Sequence, residues 1–301
     1  MRFITFYFCA LSLFFCQLSN ASTPDNMELY WLTNEVNDHE TLLRPSSEKL
    51  STANDTIRLL MENLPQYQFK VHLAQGPSIN RLLEKLPNSC APNRIKTPER
   101  LEKFIYSLPI NLYLDLHLYY KKENTFSKIP LSALNEQQQL LNLSSLFSES
   151  HENLLGVDEG RSFGAMLDEQ IASLNAHNII VRGGGNRSRA LVKMLFKERI
   201  NYIIDYPTMI KESLNTLSIE MDLVSLEIAN MPSYITGHIA CNKSEFGKEV
   251  IADINNVLRK LYKTHAFYEA HSHYIDKADI EDFNRAYKEV YQTDIPKKAP
   301  Q

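Results

Sequence analysis

Short β-rich apolar runs alternate with segments of helical periodicity from Leu29 to Leu261, and no other feature restricts the fold as tightly. Leu29-Tyr30-Trp31-Leu32 reads as a first strand. Thr52 to Leu64 places Ile57, Leu60, Met61 and Leu64 on one helical face, and Pro65 ends it. Phe69 to Leu73 alternates as a strand. Ser78 to Leu86 is a short amphipathic helix stopped by Pro87, and Asn88 to Ile95 is extended. Tyr106 to Tyr120 is one long β-rich run around Pro109, with Asp115 and His117 alternating with leucines. Beyond Leu154, strands are expected at Leu154 to Asp158, Asn178 to Arg182, Ile200 to Tyr206 and Leu223 to Ile228. Helices open near Phe163, Arg187 and Pro207. Tyr234 to Cys241 is extended, and Glu245 to Tyr262 is a strong amphipathic helix. Such alternation predicts an α/β protein with mainly parallel sheets. The polar stretch 121–150 reads as a loop and a surface helix, and is the clearest compositional break between domains.

The first 21 residues are a different polymer. Arg2 supplies a positive start, Phe3 to Phe15 is almost wholly apolar, and Leu18-Ser19-Asn20-Ala21 ends on small residues. This is the pattern of a secretory signal peptide cleaved after Ala21. The apolar run is shorter than the ~20 residues a membrane span needs. The mature chain is therefore expected to be exported and soluble.

Composition narrows the function. Lys and Arg total 32 against 36 Asp and Glu, a formal net charge of −4, so no basic surface suited to nucleic acid is expected. Cys9 and Cys16 depart with the leader. Cys90 and Cys241 remain as a disulfide candidate in an oxidising compartment, or as two separate buried thiols.

Few motifs carry chemistry. Thr97-Pro98-Glu99-Arg100 is a helix start whose unpaired N–H groups and Arg100 fork suit a carboxylate. Gly160-Arg161-Ser162-Phe163-Gly164 follows a strand and opens a helix. Gly183-Gly184-Gly185-Asn186 lacks the Lys-Ser/Thr of a phosphate loop and reads as a flexible turn. His265, His271 and His273 read as solvated side chains rather than zinc ligands, and Asp276 and Asp279 as surface charges. No nucleophile elbow or acid–base set is visible, so no enzyme, no metal and no cofactor is expected.

Lys96-Thr97-Pro98-Glu99-Arg100, followed by Phe104, Ser107 and Pro109, resembles a signature of family 3 extracellular solute-binding proteins. Val157 with Gly160 to Gly164, Leu191 to Tyr206, Gly237 to Cys241 and Gly247 to Leu261 continue the likeness in order across residues 55–262. The likeness is strongest to a divergent subgroup of stand-alone bacterial proteins. It implies a type II periplasmic-binding fold, two α/β lobes joined by two crossover strands near Leu108 to Leu114 and Tyr234 to Ile239. The leader would occupy 1–21, the first lobe 22–110 and 238–301, and the second lobe 111–237. Cys90 and Cys241 would both belong to the first lobe, which favours their pairing.

The resemblance further implies a monomer that closes by hinge motion around a small carboxylate-bearing, amino-acid-like solute and delivers it to a membrane transporter or sensor. Arg100 would clamp the carboxylate. Thr97, Arg161, Ser162 and Trp31 would complete the site, with Asp205 or Tyr206 at the position that pairs a ligand amine. Residues 33–54 lack the family's aromatic or proline-rich pocket wall. That departure motivates the alternative, a non-transport sensor or adaptor with a degenerate pocket.

Overall fold

The computed structural model describes residues 27–34, 41–42, 49–123, 129–147, 152–184, 186–220 and 222–298. The leader expected at 1–21 lies outside them. Two five-stranded sheets carry the architecture. The first uses β1 (Met27–Thr33), β2 (Tyr67–Leu73), β3 (Ser89–Arg94), β4 (Phe104–Leu114) and β10 (Tyr234–Asn242), in the order β2-β1-β3-β10-β4. The second uses β5 (His117–Lys121), β6 (Leu155–Asp158), β7 (Ile179–Arg182), β8 (Tyr202–Asp205) and β9 (Leu223–Glu227), in the order β7-β6-β8-β5-β9.

The sheets are mixed rather than mainly parallel. β1 pairs parallel with β2 and β3, and β6 with β7 and β8. β10 runs antiparallel to β3 and β4, and β5 antiparallel to β8 and β9. The cause is the chain passing between sheets: a strand arriving from the other sheet enters against the direction set by the βαβ units. The run Tyr106 to Tyr120 is accordingly two strands, broken at Asp115 and Leu116, one in each sheet.

Helices cover the faces: α1 (Thr52–Glu62), α2 (Gly76–Lys85), α3 (Pro98–Lys103), α4 (Ala165–Ser173), α5 (Arg187–Phe196), α6 (Pro207–Leu217), α7 (Glu245–Leu261), α8 (His265–Ser272) and α9 (Ile280–Tyr291). The alternation of β1 places Leu29 and Trp31 on one face, packed with Ile57 and Leu60 of α1 and Ile254 and Leu258 of α7. Leu32 points to the other face, against Ile79 and Leu83 of α2. Ser244 caps α7 by accepting from Gly247 N at 3.0 Å. The stretch 121–150 is no domain break: Ala133, Leu140, Leu143, Leu146 and Phe147 are buried in the second sheet's core. Its leucines fill that core without any helical or strand periodicity.

Two buried histidines make stability depend on pH. His271, expected to be solvated, is only 1% exposed among Phe267, Phe283, Tyr287 and Tyr291. Its Nδ1–H donates to Phe267 O at 2.9 Å, so Nε2 accepts from the Tyr291 hydroxyl at 3.1 Å. Burial pushes its pKa down to about 4, against the upward pull of the Phe267 and Ile110 carbonyls. His238 is pushed to about 4 by burial and by the Lys96 charge, while the Ser107 and Leu108 carbonyls pull upward. Both native pKa values lie below the unfolded value, so the unfolded chain binds more protons as pH falls. The native state should hold full stability above about pH 6.5 and lose roughly 1.4 kcal/mol per unit per histidine toward pH 4. Urea unfolding at pH 7 and pH 5 checks this, and His271→Gln should remove about half of the difference. An unchanged difference in that variant would exclude His271 as a contributor.

Candidate functional site

The carboxyl ends of the parallel strands of both sheets face a common cleft, the place where open α/β sheets gather ligands. Its cavity volume is about 360 Å³, within the range of small-molecule sites. The first lobe contributes Thr33 and Asn34 from the end of β1, the start of α1, the end of β3, and Arg100. The second contributes Gly160 to Ser162, the start of α5, and Asp205 and Tyr206 at the end of β8.

Arg100 stands in the first turn of α3. Thr97 is the N-cap, its hydroxyl accepting from Arg100 N at 3.3 Å, and Pro98 holds the first helical position. From there the guanidinium reaches both lobes. Nη1 donates to Ile95 O at 3.2 Å, and Nη2 donates to Gly160 O at 3.2 Å. The lobes also touch beside it: a Cβ on Gly76 would lie 2.4 Å from the Glu159 carbonyl oxygen, so the start of α2 approaches this loop only as glycine.

Across the cleft, Arg161 and Asp205 form a buried pair. Arg161 Nη2 donates to Asp205 Oδ1 at 2.6 Å, with the two side chains 11% and 1% exposed. Asp205 Oδ1 also accepts from Tyr206 N at 2.9 Å, and Oδ2 accepts from the Ser188 hydroxyl. Burial alone would lower the Arg161 pKa, but the Asp205 charge and hydrogen bond outweigh it, and the net shift is upward. The guanidinium lies over the rings of Phe163, 4.7 Å away, and Tyr206, 5.9 Å away. Tyr206 in turn stacks on Tyr113, ring centres 4.6 Å apart. Burial raises the Tyr206 pKa and keeps its hydroxyl neutral; Asp205 adds to that shift and Arg161 opposes it.

Five of the seven expected ligand-site residues line this cleft: Arg100, Arg161, Ser162, Asp205 and Tyr206. Ser162 is engaged locally, donating to Asp168 Oδ2, whose other oxygen accepts from Phe163 N at 2.7 Å. Thr97 is not in the lining; it sets α3. Trp31 does not reach the cleft either. It is fully buried and packs edge-on against Phe69 at 5.6 Å, because β1 alternation turns it to the α1–α7 face. Sequence reasoning missed Asn34, Arg94, Arg189, Glu212 and Tyr113. Arg189 has a legible signal, a helix start directly after the glycine run.

Cys90 and Cys241 are disulfide-bonded and sit directly opposite each other on β3 and β10. Among the described residues, no group of His, Cys, Asp and Glu is placed to hold a metal ion, and no helix is long and apolar enough to cross a membrane.

The chain matches no protein-family model and no curated protein. Solved structures do match. EhuB in complex with hydroxyectoine is 16% identical, covers 88% of this chain and 94% of its own, and has a TM-score of 0.60. A structure concerned with glutathione import through GshT and the cystine ABC importer TcyBC of Streptococcus mutans is 14% identical, covers 84% and 99%, and has a TM-score of 0.59. The amino acid ABC transporter substrate-binding protein AbpA of Streptococcus pneumoniae, bound to L-arginine, is 15% identical, covers 83% and 97%, and has a TM-score of 0.56. The two mixed sheets facing a shared cleft, together with these superpositions, give the chain the type II periplasmic-binding fold.

Proposed function

We propose that this chain is a periplasmic solute-binding protein that captures a small carboxylate-bearing solute of amino-acid size and presents it to a membrane transporter. The observation that carries this reading is Arg100, a half-buried guanidinium at the cleft that reaches both lobes at once. Two of its five N–H donors are engaged by carbonyls, which leaves three for an acid group. Hydroxyectoine, arginine and glutathione, named for the structural neighbours, have the carboxylate in common. Residues 22–110 with 238–301 and residues 111–237 would move as two lobes about the crossing strands, with the leader removed at Ala21. The protein would act as a monomer and without catalysis.

A thermal-shift screen against carboxylates, polyamines and sugars tests the reading. A ligand at 100 times its Kd should add about 2.7 kcal/mol of stability. Arg100→Ala should weaken a carboxylate by on the order of 2–5 kcal/mol, because it removes a charge pair formed in a closed cleft. Unchanged affinity in that variant would take Arg100 out of the site. A flat screen on folded, ligand-stripped protein would favour a sensor or adaptor that has kept the fold alone.

A further inference from the structure

The contact between the lobes carries a sequence requirement of its own, granted the solute-binding reading above. It is made backbone against backbone. The first lobe presents Gly76 and Pro77 at the start of α2, and the second presents Glu159 and Gly160 just after β6. A Cβ on Gly76 would lie 2.4 Å from the Glu159 carbonyl oxygen and 3.4 Å from its carbonyl carbon. From the other side, a Cβ on Gly160 would stand 3.4 Å from Pro77 N and 3.5 Å from the Gly76 carbonyl carbon. The overlap at Gly76 is with backbone and not with a flexible side chain, so a Cβ there fits only if one backbone moves off the other.

Nothing within the first lobe asks for this glycine. Gly76 opens α2 with φ outside the left-handed region, and alanine suits a helix better. Beyond its chain neighbours and its own helix, only Glu159 atoms among the described residues come within 4 Å of that Cβ. The requirement therefore comes from the other lobe. Arg100 depends on the same approach: its Nη2 reaches Gly160 O at 3.2 Å while its Nη1 stays on Ile95 O of the first lobe. Restoring ordinary packing distance at Gly76 takes a displacement of roughly 1 Å. A shift of that size is enough to take the Arg100 bond to Gly160 out of range. Gly76 does not line the cleft, so it acts on a solute only by positioning the lobes.

We propose that Gly76 is the residue that permits the lobes to close. With no Cβ in the way, the start of α2 seats on Glu159 and Gly160, and only then does Arg100 span the cleft.

A second contact between the lobes supplies a readout away from the glycine. Lys211 of α6, on the second lobe, donates to Asp276, which lies between α8 and α9 on the first. The two side chains are 54% and 55% exposed, so replacing them costs little stability. Lys211→Cys/Asp276→Cys in the exported chain, treated with a short thiol crosslinker, therefore reports closure. Cys90 and Cys241 are bonded to each other and do not compete. Adding Gly76→Ala should slow the crosslink at least about tenfold, in proportion to the closed population it removes. Gln75→Ala, one residue earlier and exposed, should leave the rate unchanged. Urea unfolding of Gly76→Ala should match wild type, because each lobe keeps its own core. An unchanged crosslinking rate in Gly76→Ala would overturn the proposal. A lowered unfolding midpoint would overturn it too, by placing the need for glycine inside the first lobe. So would a parent pair that fails to crosslink, because the lobes would not hold this contact. The crosslink needs no solute, so a flat thermal screen would remove solute binding and leave the role of Gly76 standing.

Discussion

Asp205→Ala should destabilise the protein by about 3–5 kcal/mol, because it removes one partner of a buried ion pair and leaves the other charged. The variant strands the Arg161 guanidinium, a side chain only 11% exposed, without its 2.6 Å acceptor. It also orphans the Ser188 hydroxyl and the Tyr206 amide, both of which donate to the lost carboxylate. The guanidinium cannot escape by losing its proton, because an arginine side chain stays protonated in proteins. Stacking on Phe163 and Tyr206 returns at most about 2 kcal/mol, less than the desolvation of an unpaired cation. Urea unfolding of Asp205→Ala, Arg161→Met and the double variant measures this. The double variant should be less destabilised than Asp205→Ala alone. If Asp205→Ala costs under about 1 kcal/mol, the pair is not buried as described here.

Removing the Cys90–Cys241 bond should cost about 2–5 kcal/mol of global stability. The two residues are 151 positions apart, and the loop they close contains β4 and the whole of the second sheet. That loop is long, and constraint of the unfolded chain grows with loop length. The bond also pins β10, the returning strand, to β3 in the sheet it rejoins. Both cysteines are fully buried, so a mild reductant acts on the folded protein only slowly. Cys90→Ala/Cys241→Ala is the cleaner test. With a few degrees of Tm per kcal/mol at this size, the variant should melt roughly 5–15 °C lower. An unchanged Tm would mean that the bond contributes nothing to holding the two halves of the first lobe together.

Much of the fold was legible in local patterns. The helix from Thr52, the Thr97-Pro98 start and the amphipathic run from Glu245 all stand where periodicity and caps put them. Those signals are local, set by backbone hydrogen bonding and one buried face. Strand direction was not legible, because whether β10 lies parallel or antiparallel depends on where the chain returns from. The stretch 121–150 misled because its core leucines follow no period.

The site was legible only as a set of residue types. Arg100 follows from its helix start. Nothing local links Arg161 to Asp205, 44 residues apart, or shows that Ser188 and Tyr206 N already occupy that carboxylate. Trp31 misled for a related reason: strand alternation gives two faces but does not say which one meets the cleft.

The sequence by itself determined the alternation of strand and helix, the caps and the two cysteines, because each is written in neighbouring residues. Only the tertiary structure decided which charges meet. It paired Asp205 with Arg161 and set Arg100 across both lobes, because a charge acts through the partners the fold brings within a few ångströms of it.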